Sequence, residues 1–203
     1  MSRPRLIVGV TGASGALYAV RFLKACLEGG VTVELVVSDY GQRLLIEECG
    51  LNLKTDDLPA WIAARWPEEA RPITGTLHRH AVTDLGASIA SGSQRWDGMV
   101  VVPCSMKTLS GIARGAAGNL IERAADVTLK ERRPLVLVPR ETPLHLIHLD
   151  NLRAAALAGA VLVPAMPAFY QTPQRVEDLA DFVAARVLQV LGMPQQLVPV
   201  WEG

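Results

Sequence analysis

The stretch LKERRPLVLVPRETPLH, residues 129–145, places a short apolar run between two groups of charges. Residues 134–139, PLVLVP, have the length and β-branched content of a strand that is buried on both faces. Arg140 and Glu141 follow directly, where a central strand would leave its sheet. Charged side chains rarely lie inside a sheet, but ligands bind beyond the carboxyl ends of its strands. This boundary is therefore a candidate functional position.

Apolar runs of the same kind occur at residues 5–10, 31–37, 98–103 and 160–164. Segments with helical periodicity lie between the runs, at residues 16–28, 40–49, 120–132 and 176–191. Alternating strands and helices predict parallel strands joined by right-handed crossovers. We therefore expect an α/β fold of the Rossmann-like or flavodoxin-like type, a three-layer sandwich of a mainly parallel sheet with helices on both faces.

The length of 203 residues suits one well-buried domain, 1–203. Segment 51–96 is less regular and is interpreted as an excursion from the main fold. Residues 190–203 are interpreted as a C-terminal tail. No internal repeat divides the chain.

Composition excludes several classes of function. Lys and Arg together number 20, as do Asp and Glu, so attraction to nucleic acid or to an anionic membrane surface is not favoured. The three cysteines are an odd number without metal-ligand spacing and are typical of reduced thiols in a cytoplasmic protein. The four histidines form no HExxH motif, so no metal site is expected.

Two segments resemble membrane or export signals only superficially. Residues 154–174 carry no charge, but Pro164, Pro167 and Pro173 would break backbone hydrogen bonds that lipid cannot replace. The first apolar run is shorter than the core of a signal peptide. We expect no membrane helix and a cytoplasmic location.

The first connection from strand to helix, TGASGA at residues 11–16, consists of small residues. Gly12, Ala13 and Ser14 would let backbone N–H groups approach an anion or a flat ring, and the N-terminus of the following helix favours negative charge. The segment lacks one glycine of the GxGxxG pattern and an acidic ribose partner. It is compatible with phosphate binding and equally with an ordinary tight turn.

The segment PCSMKTLSG, residues 103–111, offers hydroxyl groups and one lysine at the start of another helix. Ser105, Lys107 and Thr108 could hold a phosphate together with first-turn amides. Ser105 would equally serve as a helix N-cap. Cys104 has no histidine beside it in the sequence, so a packed thiol is favoured over a nucleophile.

Residues 119–134, NLIERAADVTLKERRP, carry charges at helical spacing. Most of these charges are typical of a solvated face with ion pairs between successive turns. Arg123 and Lys130 are seven residues apart and share a face, which could form a cationic pocket with Arg140.

Tyr170 lies on a proline-flanked loop, and Arg186 lies on the helix that follows. Each residue has an ordinary alternative, because Arg186 could be an exposed helix charge and Trp201 could simply pack the tail. Together with the strand-end loops, these residues would suit a planar phosphorylated cofactor and a second phosphorylated reactant.

The motifs TGASGA, PCSMKTLSG, RAADVTLKERRPLVLVPRETPLH and PAFY resemble those of the UbiX family of flavin prenyltransferases. The resemblance extends through nearly the whole chain and is weakest over residues 51–80. It implies reduced FMN as cofactor and acceptor, dimethylallyl monophosphate as donor, and transfer to flavin N5 and C6 without a metal. It also implies a homo-oligomer, a dodecamer with sites at subunit interfaces. The product, prenylated FMN, would be the cofactor of UbiD-type decarboxylases, including those of ubiquinone biosynthesis.

The resemblance further implies roles for individual residues. FMN would be held by Gly12, Ala13, Ser14, Ser38, Ser105, Met106, Lys107, Thr108 and Arg140. The dimethylallyl phosphate would be held by Lys130, Tyr170, Arg186, Arg123, Glu141 and Trp201. Catalytic roles would fall to Glu141, Glu48, Ser14 and Lys130.

The chemistry of these residue types agrees with the implied reaction. Fixed cationic side chains in a poorly hydrated pocket stabilise a departing phosphate. Closing a new ring on the flavin requires proton movements, for which Glu141 and Glu48 are acid–base candidates.

Two alternatives stay open. One is a flavoprotein decarboxylase that acts on a C-terminal cysteine; such enzymes use a histidine base and a Pro-x-Met-Asn motif, which are not evident here. The other is a flavin-binding interaction protein without catalysis. The presence of Lys130, Glu141, Tyr170 and Arg186 argues against it, because FMN binding alone needs no second phosphate pocket.

Overall fold

A computed structural model describes residues 3–199. Within this range the strands are β1 (Arg5–Val10), β2 (Thr32–Val37), β3 (Thr76–His80), β4 (Gly98–Cys104), β5 (Leu135–Pro139) and β6 (Val161–Leu162). The α-helices are α1 (Ala16–Glu28), α2 (Asp39–Cys49), α3 (Leu58–Arg65), α4 (Met106–Arg114), α5 (Leu120–Lys130), α6 (Leu146–Leu157) and α7 (Val176–Val190). Two short 3-10 turns lie at Pro67–Glu69 and Ser88–Ala90.

The six strands form one sheet in the order β3-β2-β1-β4-β5-β6, and every adjacent pair is parallel. The predicted α/β fold class is confirmed. The chain winds outward from β1 to β3, then returns to the other side of β1 with β4. The direction of winding therefore reverses between β1 and β4, and ligands bind at such a switch point in open parallel sheets.

The core has two layers because side chains alternate along each buried strand. In β1, Leu6 and Val8 face the layer that contains α1 and α7. Ile7 faces the opposite layer, which contains α4 and α5. Both layers consist mainly of aliphatic side chains, in keeping with the low aromatic content.

Segment 51–96 contains more regular structure than its sequence indicated. It includes α3, both 3-10 turns and β3. The β3 sequence TLHRH carries little apolar patterning because β3 is an edge strand whose residues are half-buried or exposed. Period-2 hydrophobicity therefore could not reveal it.

The uncharged stretch 154–174 divides among the end of α6, β6 and an irregular loop. Strand β6 is shorter than the predicted 160–164, although Val163 and Ala165 still donate backbone hydrogen bonds to β5. Between residues 3 and 199, no helix has both the length and the apolar character needed to cross a membrane.

Candidate functional site

The connections after β1 and β4 meet at the carboxyl edge of the sheet. Thr11 joins them: its Oγ1 donates to Pro103 O at 2.8 Å and accepts from Ser105 N at 2.7 Å. Thr11 is buried, so this tie is protected from water. The loop TGASGA and the start of α4 are thereby fixed side by side at the switch point, and they form the crevice in which a ligand would bind.

Two glycines let the crevice form. A Cβ on Gly12 would lie 2.4 Å from Cβ of Tyr40, so only glycine lets α2 approach the loop this closely. Gly15 has φ of 113°, a left-handed conformation that side chains disfavour. The small residues of TGASGA are thus explained by tight local packing.

The N-terminus of α1 is capped by a carboxylate from α2. Glu48 Oε2 accepts hydrogen bonds from Gly15 N at 2.8 Å and Ala16 N at 2.7 Å. Amides at this position are the ones that a bound phosphate would use. Since Glu48 occupies them, the geometry favours the tight-turn interpretation of TGASGA, and it brings Glu48 to the edge of the crevice.

Arg140 reaches from the end of β5 to the loop after β1. Its Nε donates to Ser14 O at 2.8 Å, and its backbone N–H contacts Cys104 O at 3.4 Å. Its terminal guanidinium nitrogens make no hydrogen bond to any residue between 3 and 199. Arg140 is therefore fixed in position while two of its nitrogens remain available to an anionic or carbonyl ligand.

Tyr18, on the first turn of α1, lies near the guanidinium group of Arg140. Burial raises the pKa of its phenol, and the nearby Arg140 charge opposes part of that shift. The phenol therefore stays protonated at neutral pH and can donate a hydrogen bond. Tyr18 could not be identified from the sequence, because its helical spacing is that of an ordinary core position.

Ser38 and Ser105 are helix N-caps. Ser38 Oγ accepts from Gly41 N at 3.1 Å, and Ser105 Oγ accepts from Thr108 N at 3.3 Å. Each hydroxyl thus satisfies a first-turn amide, as the structural alternative for Ser105 anticipated. Among residues 3–199, the hydroxyls of Ser38 and Thr108 accept hydrogen bonds but donate none, so both side chains can still donate to a ligand.

Lys107 and its neighbours differ in exposure. Lys107 is exposed and lies 3.0 Å from Oε1 of the buried Glu122, which also accepts from Gly118 N at 2.9 Å. Met106 and Thr108 are buried. In this chain Lys107 therefore balances a buried carboxylate between α4 and α5.

Lys130 lies far from Arg140 within one chain. It is at the C-terminal end of α5, where its Nζ is 3.2 Å from Glu131 Oε1 and close to Gly92, ahead of β4. This is the amino edge of the sheet, whereas Arg140 is at the carboxyl edge. The five residues of β5 separate the two edges by roughly 16 Å. A single chain therefore does not form the cationic pocket of Arg123, Lys130 and Arg140 that the helix spacing suggested.

Arg123 is half-exposed on α5 and pairs with Asp126 at 2.8 Å, as its spacing predicted. Arg186, on α7, is exposed and donates to Gln189 Oε1 at 2.6 Å. Glu141 is exposed and accepts from its neighbour, Thr142 N, at 3.0 Å.

Tyr170 lies in the loop before α7, with its ring packed edge-on against Phe182 at a centroid distance of 6.0 Å. A cavity of about 370 Å³ separates this loop from α7 and the C-terminal tail. Trp201, the other predicted aromatic contact, lies outside the described residues.

The structure thus divides the predicted residues into two groups. One group lies on the loops and helix starts at the crevice: Gly12, Ala13, Ser14, Ser38, Glu48, Ser105, Met106, Lys107, Thr108, Arg140 and Glu141. The other group, Arg123, Lys130, Tyr170 and Arg186, is distributed over α5, α7 and the loop before α7.

The thiol of Cys104, at the end of β4, is not reactive. Burial raises the pKa of Cys104, so its thiol stays protonated at neutral pH. Among residues 3–199, no group of three or more His, Cys, Asp or Glu side chains is placed to hold a metal ion.

These features define a class of protein: an α/β flavoprotein with its ligand crevice at a switch point of the sheet. A family model described as Flavoprotein matches residues 1–198. The flavin prenyltransferase UbiX of Synechocystis sp. is 48% identical over 204 residues, covering 100% of this chain and 98% of the relative.

Two solved structures share both the fold and a substantial part of the sequence. One, described as a dodecameric FMN-dependent UbiX-like decarboxylase from Escherichia coli O157:H7, has a TM-score of 0.85 and 43% identity and covers 98% of this chain and 100% of its own. The other is AnUbiX (PadA1) in complex with FMN and dimethylallyl pyrophosphate, with a TM-score of 0.83, 40% identity and coverage of 100% and 99%. The chain belongs to the UbiX family of flavin prenyltransferases.

Proposed function

We propose that this protein transfers a dimethylallyl group from dimethylallyl monophosphate to N5 and C6 of reduced FMN. The product would be the prenylated FMN cofactor of UbiD-type decarboxylases. The observation that carries the proposal is Arg140, which is fixed to Ser14 O at 2.8 Å and presents uncommitted nitrogens at the switch-point crevice. Full-length similarity to UbiX flavin prenyltransferases, one of them solved with FMN and a prenyl diphosphate, supports it.

The residues at the crevice suit FMN by their chemistry. Gly12 and Ala13 belong to the loop that borders the crevice, and Ser38, Thr108 and the free end of Arg140 supply donors for phosphate and carbonyl oxygens. We propose that these residues hold FMN together with Ser14, Ser105, Met106 and Lys107. Reduced FMN, when bound, supplies the nucleophilic ring atoms.

The phosphate of the prenyl donor would be bound by the second group of residues: Lys130, Arg123, Tyr170 and Arg186. Charges fixed in a water-poor site stabilise a phosphate more as its C–O bond breaks, because negative charge then accumulates on it. Glu141 and Glu48 lie on the crevice side and would exchange protons with the reacting groups. Trp201 would add an aromatic face to the same half of the site.

These two groups of residues reach one another only if more than one copy of the chain contributes. Lys130 lies at the amino edge of the sheet and Arg140 at the carboxyl edge, so one chain cannot place both in one site. We propose a homo-oligomer, as in the dodecameric relative, with each site built at a subunit interface. Apolar side chains exposed on α6 and in the loop before α7 support such contacts: Leu146 is 78% exposed, Ile147 65% and Phe169 71%.

The activity is tested by incubating the protein anaerobically with reduced FMN and dimethylallyl monophosphate. Mass spectrometry should find FMN with one added prenyl unit. A folded, FMN-loaded protein that yields only unmodified FMN would overturn the proposed activity. A parallel incubation with the diphosphate donor measures the preference for one phosphate over two.

The shared site is tested by complementation. Lys130→Ala and Arg140→Ala subunits should each be inactive alone, and co-expressed mixtures should regain activity because some sites receive both intact residues. If purified mixed oligomers stay as inactive as either parent, Lys130 and Arg140 do not act in one interfacial site.

A further inference from the structure

The 3-10 turn Pro67–Glu69, within the irregular segment, lies across α1 and the start of α7. Glu69 uses both carboxylate oxygens there. Its Oε1 lies 2.7 Å from Arg175 Nη2, and its Oε2 lies 2.8 Å from Arg21 Nη1. Arg175 is the N-cap residue of α7, and Arg21 lies in the middle of α1. One acidic side chain thus connects the excursion to both helices on this face of the sheet.

Arg21 is buried, with only 2% of its surface exposed, and it contacts several partners. Its Nε donates to Asp181 Oδ1 at 2.6 Å, and its Nη2 pairs with the other oxygen of Asp181. The guanidinium carbon lies 4.7 Å from the ring centre of Trp66. Trp66 Nε1 in turn donates to Glu177 Oε1, on the first turn of α7, at 3.3 Å.

Such a network orients its members more than it stabilises the fold. The cost of removing charges from water offsets most of their attraction, so apolar packing of equal volume would be about as stable. Paired hydrogen bonds between guanidinium and carboxylate groups have fixed geometry. Burial acts to raise the pKa of Glu69, but hydrogen bonds from Arg175 and Arg21 outweigh it and lower the pKa, so the bridge is ionised at neutral pH.

The network orients the loop before α7 and the C-terminal tail. Tyr170 in that loop packs on Phe182, the residue next to Asp181. Asp181 also lines the cavity of about 370 Å³ that Tyr170 borders. From the same excursion, Arg71 Nη1 donates to Gln196 Oε1 in the tail at 2.7 Å. The excursion therefore contacts both segments that lead to proposed prenyl-phosphate residues.

We propose that Glu69 is a positioning residue for the prenyl-phosphate half of the site. It bridges Arg21 and Arg175, fixes the start of α7, and thereby presents Tyr170 in the orientation that binds the phosphate. Glu69 itself touches neither ligand. This inference rests on the proposed function, and it gives segment 51–96 a role that its sequence did not indicate.

The experiment compares Glu69→Gln with Glu68→Gln. Glu68 is exposed in the same turn and makes no hydrogen bond or ion pair within residues 3–199, so it controls for the lost charge. Glu69→Gln should raise KM for dimethylallyl monophosphate roughly tenfold, with kcat and the Kd for FMN within about twofold of wild type. Glu68→Gln should match the wild type in all three.

Each other result has a definite meaning. If the wild type is active and Glu69→Gln and Glu68→Gln have equal KM values, the positioning role of Glu69 is overturned while the proposed function stands. Loss of FMN binding and of thermal stability in Glu69→Gln would also overturn it, because the residue would then be only structural. No prenylated FMN from the wild type would instead overturn the proposed function.

A double-mutant cycle that combines Glu69→Gln with Arg175→Gln tests whether Glu69 acts through Arg175. If Glu69 acts through Arg175, the two single variants and the double variant should show similar KM increases, because the second change removes nothing further. Increases that multiply in the double variant would show that the two residues act separately and would overturn the bridge.

Discussion

Arg140 and Lys130 belong to one stretch of sequence but are held very differently. Arg140 is half-buried and hydrogen-bonded to the loop after β1. The Lys130 side chain is 52% exposed, and its Nζ lies 3.2 Å from Oε1 of its neighbour Glu131 and close to Gly92. The strand between them places the two at opposite edges of one sheet.

The contrast separates two kinds of functional residue. The crevice is assembled by one chain, whose own contacts fix its groups before any ligand arrives. In the proposed site, the second group would act only when another copy of the chain supplies it. Variants of the first group should therefore alter FMN binding in each subunit, and variants of the second should alter the use of the prenyl donor without altering FMN binding.

The largest effect is expected for Lys130→Ala. Loss of one fixed charge beside the departing phosphate should reduce kcat/KM for dimethylallyl monophosphate about 10²- to 10³-fold. FMN affinity, measured by quenching of flavin fluorescence, should not change, because the proposed contact of Lys130 is with the phosphate of the prenyl donor and not with FMN. Lys54→Ala, which removes another exposed lysine, is the control. Weakened FMN binding in Lys130→Ala would contradict the division into two groups.

Arg140→Ala should chiefly weaken FMN binding. Hydrogen bonds to a charged partner contribute roughly 1.5–3 kcal/mol, so the Kd should rise about 10- to 100-fold. Arg140→Lys keeps the charge but loses the geometry that joins Ser14 and a ligand, so it should recover only part of the affinity. An unchanged Kd in flavin titrations of Arg140→Ala would remove this residue from the FMN site.

Glu48 allows its capping and catalytic roles to be separated. Glu48→Ala removes the cap of α1 and should lower the free energy of unfolding by about 1 kcal/mol in urea titrations. Glu48→Gln keeps an oxygen acceptor for Gly15 N and Ala16 N and should be nearly as stable as wild type. If Glu48 also moves protons, both variants should lose activity; full activity in Glu48→Gln would leave it a cap only.

The smallest effect on activity is expected for Glu34→Gln, because the buried Glu34 side chain lies far from the crevice. Burial acts to raise its pKa, but hydrogen bonds from His80 and Arg5 outweigh it, so the pKa lies below its ordinary value of 4.5. A lowered carboxylate pKa contributes stability above pH 4.5, and this is lost as pH falls through the folded-state value. Thermal melts of Glu34→Gln should therefore lie below wild type at pH 7 and approach it below pH 4.5. A constant gap between the two proteins would show that ionisation of Glu34 is not responsible.

Much of the fold was predictable because it depends on local patterns. Residues 5–10 and 16–28 match β1 and α1 to the residue, since apolar runs and helical spacing are visible along the chain. Strand β3 and helices α3 and α6 were missed as elements. The residues of β3 are mostly polar, and α6 exposes Leu146 and Ile147, so neither element shows the usual contrast between a buried and an exposed face.

The candidate site was predictable only as a set of residues. Small residues and charges after β1, β4 and β5 indicated the carboxyl edge, because parallel strands all end there. Neither the capping of α1 by Glu48 nor the Glu69 bridge could be read from spacing. Glu48 lies 33 residues from Gly15, and Glu69 lies 106 residues from Arg175.

The sequence by itself determined the alternation of strands and helices, the parallel sheet and the family, because these follow from hydrophobic periodicity and contiguous motifs. Only the tertiary structure decided that Arg140 meets Ser14 while Lys130 lies at the other edge. The physical reason is geometric: a helix that returns to start the next strand carries its last residues to the opposite end of the sheet, whatever charges they bear.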